Sequence, residues 1–185
     1  MKRIALTGGI GSGKSYVCAM LKKHGIAVYD CDDAAKRIMR SSQKVISSLK
    51  ELVGNDVYTS DGTLNKAEMA EFILASKENA DAVNAIVHPA VAEDFVNSGI
   101  QWMECAILFE SGFDRYVDIK ICVTAPEDVR KERVMKRDGI SSEKALQWIR
   151  CQMSQEEVKK RSDYEIINDG NTDIENQIKD ILNNI

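Results

Sequence analysis

Eight consecutive residues, Gly8-Gly9-Ile10-Gly11-Ser12-Gly13-Lys14-Ser15, follow the pattern G-x-x-x-x-G-K-[ST]. Each residue type has a chemical reason. Glycines let successive backbone N–H groups converge on phosphate oxygens, and a helix starting there adds partial positive charge. Lys14 can reach β- and γ-phosphates as a point charge, while the Ser15 hydroxyl is a ligand for Mg²⁺. The run lies between an apolar stretch at residues 3–7 and a helical pattern at 14–24, the strand and helix such a loop requires. The pattern specifies a nucleoside triphosphate with Mg²⁺ and leaves the reaction open.

A second group of chemically capable residues is Asp30, Asp32 and Asp33, which follow the apolar run at 26–29. Open α/β sheets bind ligands at the carboxyl ends of their strands. Asp32 at such an end could accept a proton from an attacking hydroxyl or hold a water on Mg²⁺, whereas Asp33 reads as a helix-start residue. Arg130, Arg133 and Arg137 recur at i, i+3 and i+7, one face of a helix. Arg130 is expected on a solvated face, and Arg133 is balanced between solvent and site. Arg137, at the helix end, is expected to meet a transferring phosphoryl group, with Arg150 a further candidate.

Positioning these groups takes alternating strands and helices. Apolar, β-rich runs at 3–7, 26–29, 103–109, 119–123 and 164–167 are nearly continuous rather than alternating, as in buried parallel strands. Helical patterns at 14–24, 128–137 and 172–182 separate or follow them, the last with Thr172 as its expected N-cap. The fold class is therefore α/β, with βαβ units in a doubly wound parallel sheet. About seventy residues between the second and third strands read as helices at 34–39, 43–53, 66–75, 78–87 and 90–97, broken by turn chemistry at 59–63. That block is too long for a crossover and reads as a helical insertion. Residues 138–161 form a second helical excursion, dense in Lys, Arg, Gln and Glu.

Composition bounds the remaining choices. The 185 residues carry 25 Lys+Arg against 29 Asp+Glu, a net charge of −4, and 44% are hydrophobic, which excludes a disordered chain. The mild acidity argues against a dedicated nucleic-acid binder. No run approaches the length of a membrane span or a signal-peptide core. Five cysteines without metal-ligand spacing, and only two histidines, fit a reducing cytoplasm and no zinc site. Three activities use such a loop: a small-molecule kinase, a GTP-dependent switch and a mechanical or DNA-directed ATPase. No D-x-x-G occurs, and Asn65-Lys66-Ala67-Glu68 only approximates N-K-x-D, within the insertion. Phe109-Glu110 lacks the second acid an ATPase strand would carry. The kinase reading explains the insertion and the basic excursion, the latter as a lid closing over the nucleotide.

The ordered set of motifs resembles the dephospho-coenzyme A kinase family. Leu6 through Ser15, Asp30-Cys31-Asp32, Asp61-Gly62-Thr63-Leu64, Val87-His88-Pro89 and Leu108-Phe109-Glu110-Ser111-Gly112 carry the likeness. So do the stretch Arg133 to Asp138 with Gln152, then Asp163 with Ile167-Asn168-Asp169-Gly170. The resemblance implies a P-loop NTPase fold, three-layer α/β/α with a five-stranded parallel sheet. It implies a single 1–185 domain with core 1–33, 100–137 and 162–185, a helical acceptor-binding insertion 34–99 and a lid 138–161. The implied reaction is phosphorylation of the ribose 3′-hydroxyl of dephospho-CoA by ATP; a nucleoside or nucleotide kinase of the same fold is the alternative. Asp32, Lys14 and Arg137 would be catalytic. Gly8, Gly9, Ile10, Gly11, Ser12, Gly13, Lys14, Ser15, Tyr16, Asn168 and Gly170 would bind ATP, the last two flanking adenine. Asp32, His88 and Glu110 would bind the acceptor, and Ser15 would ligate Mg²⁺, with Asp32 through a water. ATP and dephospho-CoA are the implied partners, without nucleic acid or membrane, for a cytoplasmic monomer or weak homo-oligomer. Three positions depart from the family pattern: Tyr16 stands for Thr, Ala106 for Pro and Cys31 for Ala, none of them removing a group the chemistry requires.

Overall fold

The structure, a computed structural model, describes residues 2–185. The chain divides into two compact units, one of residues 2–29 with 100–185, the other Asp30–Gly99.

The first unit is built on a parallel sheet of five strands in the order β2-β3-β1-β4-β5. These are β1 (Ile4–Thr7), β2 (Val28–Asp30), β3 (Trp102–Glu104), β4 (Ile119–Thr124) and β5 (Tyr164–Ile167). β1 is central, with β3 on one side in the register Ala5↔Met103 and β4 on the other in the register Leu6↔Ile121. Strand order reverses across β1, so its carboxyl end is the switch point where an open α/β sheet forms a ligand crevice. Helix α1 (Lys14–Lys23) leaves that end. Alternate strand residues Ile4, Leu6, Ile121, Val123 and Ile166 pack with Val17 and Leu21 of α1. Ile174, Ile178 and Ile181 of the last helix (Ile174–Asn184) complete that core. The strands alternate faces with period two, so Ala5 and Cys122, both buried, belong to the opposite side.

Helices α2 (Cys31–Ser41), α3 (Gln43–Val53), α4 (Lys66–Ala75) and α5 (Lys77–Ser98) make up the second unit. Each starts on a side-chain cap: Asp30, Ser42, Asn65 and Ser76 accept from Asp33 N, Val45 N, Glu68 N and Asn79 N. α5 packs against the other three, burying Val83, Val87, Val91, Ala92 and Phe95. Tyr58, buried after a short 3₁₀ turn, donates its hydroxyl to Met39 O at 2.6 Å and staples that turn to α2.

The remaining helices of the first unit are α6 (Glu127–Asp138), α7 (Ser142–Arg150), α8 (Gln155–Lys160) and α9 (Ile174–Asn184). Four sequence expectations are corrected. The apolar run 103–109 is strand only through Glu104. Residues after it turn instead, with Ser111 N on Ile107 O at 2.9 Å and Phe113 N on Leu108 O at 2.9 Å. The helices expected at 78–87 and 90–97 are one, since α5 runs through Pro89; its buried valines and Phe95 offset the single backbone hydrogen bond the proline removes. α2 begins at Cys31, not near residue 33, because Asp30 is its cap. The last helix is capped by Asp173, and Thr172 instead donates N–H and hydroxyl to Asp169.

Candidate active site

The loop 8–13 leaves β1 and ends as the N-terminus of α1. Gly13 caps that helix at φ 95°, in the left-handed region, with no side-chain cap and no acid in the first turn. The first N–H groups of α1 and its dipole therefore remain available to an anion. A Cβ on Gly13 would run into Asn168 Nδ2, and one on Gly11 would stand 2.6 Å from Arg130 O. Glycine is needed at both positions for space as well as for φ. Lys14 Nζ donates to Gly8 O at 2.8 Å and lies 3.8 Å from Glu104 Oε1, so the lysine folds back along its own loop. Ser12 is fully buried, and its Oγ has no hydrogen-bond partner among the described residues.

The loop is pinned from three elements. Arg130, on α6, donates Nε to Ile10 O at 2.9 Å. Its side chain is 5% exposed, and burial pushes its pKa down from the ordinary arginine value. The expectation of a solvated Arg130 is thus wrong: α6 turns this arginine inward onto the loop. Arg133, one turn on, donates Nη1 to Gly11 O and Ser12 O at 3.4 and 3.3 Å and Nη2 to Asn168 Oδ1 at 3.1 Å. Asn168, just past β5, in turn donates Nδ2 to Ser12 O at 2.8 Å. Gln152, between α7 and α8, accepts from Ile10 N at 2.7 Å. Gln152 is marked in the sequence only by the family likeness, since a lone Gln between helices carries no local signal for a contact.

Of the residues singled out from sequence, Gly13, Tyr16, Asn168 and Gly170 line one open cleft of about 650 Å³, together with Met20 and Arg133. Tyr16 is 59% exposed there. Arg137, in the last turn of α6, hydrogen-bonds Asp138 through Nε and Nη2 and no other residue among those described. It is not among the residues that pin the loop. Glu110 accepts from Met153 N at 3.1 Å, which ties the turn after β3 to the segment that carries Gln152. Ser15 is exposed in the first turn of α1. Arg150 lies 3.9 Å from Glu127.

Asp32 and His88 belong to the helical unit. Asp32 stands exposed in the first turn of α2, with no hydrogen-bond or ion-pair partner among the described residues. His88, in mid-α5, is half-buried, and desolvation pushes its pKa below the ordinary histidine value, keeping the ring neutral at pH 7. No group of three or more His, Cys, Asp or Glu side chains among the described residues could hold a metal. A single hydroxyl from Ser15 suits Mg²⁺, which keeps waters and phosphate oxygens in its shell instead of an all-protein cage. No helix among the described residues is long and apolar enough to cross a membrane.

Comparison with known proteins places the whole chain in a family. The sequence model described as dephospho-CoA kinase matches residues 2–173. A dephospho-CoA kinase of Bacteroides fragilis is 41% identical, with 97% of this chain and 91% of the relative covered. A crystal structure of a Thermus thermophilus protein superposes with a TM-score of 0.83 at 30% identity, covering 100% of this chain and 97% of that one. A dephospho-CoA kinase of Campylobacter jejuni shares the fold, with a TM-score of 0.70 at 19% identity over 98% of this chain and 95% of that one. The chain belongs to the dephospho-CoA kinase family.

Proposed function

We propose that the chain transfers the γ-phosphoryl group of ATP to the ribose 3′-hydroxyl of dephospho-CoA, giving CoA and ADP. Family membership supports this reading, and the single structural observation that carries it is the pinned loop. Arg130, Arg133, Asn168 and Gln152 take up the outward carbonyls and one N–H of loop 8–13, leaving the uncapped start of α1 to a phosphate chain.

In this reading the triphosphate lies along Gly8 to Ser15, and Lys14 moves from Gly8 O onto the β- and γ-phosphates. The adenine lies in the cleft of Tyr16, Asn168 and Gly170. Mg²⁺ held by Ser15, and by Asp32 through a water, would neutralise charge on the β- and γ-phosphates. The acceptor's 3′ oxygen forms the new bond to Pγ as the bond from Pγ to the ADP oxygen breaks, and the hydroxyl proton passes to the Asp32 carboxylate. Asp32 suits that task because no cation among the described residues pairs with it. Arg137, held by its exposed neighbour pair with Asp138, can swing to meet the equatorial oxygens of the transferring group. His88 and Glu110 complete the acceptor side.

The test is an ADP-release assay with dephospho-CoA, nucleosides and nucleoside monophosphates offered in parallel. Turnover with dephospho-CoA well above the ATPase background is expected. Turnover with a nucleotide and none with dephospho-CoA would overturn the assignment.

A further inference from the structure

A cleft of about 370 Å³ opens in the helical unit between α2 and α4. Its floor is apolar: Met39, Leu64, Met69 and Ile73. Its rim is basic, with Lys36, Arg40 and Lys66, and no carboxylate among the described residues lines it. Lys36 is engaged three residues back by Asp33 at 3.2 Å, whereas Arg40 and Lys66 have no ion pair among the described residues. Two uncompensated cations beside an apolar floor select a ligand that is anionic at one end and apolar at the other.

The cleft also stands in line with Asp32. Lys36 follows Asp32 by four residues on α2, Met39 by seven and Arg40 by eight, so they form one stripe. At ~1.5 Å rise per residue, the cations lie roughly 6 and 12 Å along the helix from Asp32. In dephospho-CoA the groups come in the same order: the 3′-hydroxyl, the 5′-diphosphate a few bonds away, then the pantetheine arm with its methyls and methylenes. An adenine ring on this floor would leave the rim cations unanswered. The junction of diphosphate and arm answers both parts.

We infer that the α2–α4 cleft is the subsite for the pantetheine arm, with Arg40 and Lys66 holding the diphosphate at its mouth. The inference rests on the proposed acceptor, but its test does not depend on turnover. Ala70, an exposed residue of α4 that lines the cleft, can be enlarged without opening the core. Binding of 4′-phosphopantetheine, which has the arm and one phosphate but no adenosine, is measured by competition with dephospho-CoA and by direct titration. The wild type is expected to bind it, and Ala70→Trp to weaken it about tenfold or more. The double variant Arg40→Gln/Lys66→Gln is expected to do the same, roughly one charge-assisted hydrogen bond per cation. Both variants should keep their ATP affinity and their affinity for adenosine, each read by direct titration. Failure of the wild type to bind 4′-phosphopantetheine while turning over dephospho-CoA overturns the subsite and leaves the kinase assignment standing. Binding lost in Ala70→Trp, with no turnover of dephospho-CoA by the wild type, supports the subsite and overturns the assignment. If adenosine and 4′-phosphopantetheine are weakened alike, the cleft takes the nucleoside instead and the inference fails.

Discussion

Loop 8–13 and the face of α2 are built in opposite ways. Around the loop, polar atoms are already committed to one another: Arg130 to Ile10 O, Arg133 to Gly11 O, Ser12 O and Asn168, and Gln152 to Ile10 N. Along α2, Asp32 and Arg40 project without ion-pair partners among the described residues, from a helix whose other side is buried. Every nucleotide triphosphate presents the same phosphate chain, so its cradle can be rigid and prepaid in hydrogen bonds. An acceptor is identified by its whole shape, and the groups that meet it must stay uncommitted until it arrives.

The sharpest way to break this contrast is Asp32→Asn. Removing the proposed base should lower turnover by about 10²–10⁴, with ATP affinity by titration changed less than about threefold. A large loss of ATP affinity would place Asp32 with the loop, against the division drawn here.

Two glycines of positive φ give the next comparison. Gly13→Ala meets both a left-handed φ of 95° and Asn168, while Gly99→Ala, at the end of α5, meets a φ of 73° and nothing within 4 Å. Gly99→Ala should cost about 1–2 kcal/mol of stability and no ATP affinity. Gly13→Ala should cost more and weaken ATP at least about tenfold, as read by thermal melting and nucleotide titration. Equal effects would show that the loop is no more committed than a helix end.

Arg130 and Arg137 separate pinning from chemistry within one helix. Arg130→Leu leaves Ile10 O unpaired in a half-buried place and should cost about 1–3 kcal/mol in chemical unfolding. Arg137→Leu removes an exposed pair with Asp138, worth less than about 1 kcal/mol. Its effect should fall on kcat, with the melting temperature unmoved. A destabilised Arg137→Leu with normal kcat would remove it from the proposed mechanism.

The smallest expected effect is on pH. Burial lowers the folded pKa of His88 below 6.5, so the unfolded chain takes up its proton first as pH falls. Stability from this residue is intact above about pH 6.5 and declines below it until the folded pKa is passed. His88→Gln should therefore lose less melting temperature than the wild type between pH 7.5 and 5.5. An unchanged slope would mean that the ring titrates alike in the folded and unfolded chain.

Much of the site could be read locally. Loop 8–15 needs no tertiary partner to be recognised, because glycine spacing, the lysine and the hydroxyl are contiguous and flanked by strand and helix patterns. Helices Gln43–Val53 and Lys66–Ala75 were legible residue for residue, since each has a side-chain cap immediately before it and a break immediately after. The apolar run 103–109 was not, because hydrophobicity reports burial and a buried turn buries as well as a strand. Pro89 signalled a break that α5 does not make, because its packing against three helices outweighs one missing hydrogen bond.

Local order alone therefore determined the phosphate chemistry, the parallel α/β class and the helical character of residues 30–99. Which arginine holds the loop, where Gln152 reaches and which side chains share the α2–α4 cleft were decided only by the tertiary structure. Arg130, Arg133 and Arg137 share a helix face in sequence, yet helix packing puts the first two against the loop and carries the third past its end. Residues 10 and 152 are joined by a contact 142 positions apart. Spacing encodes direction within one element; contact between elements depends on how all of them pack.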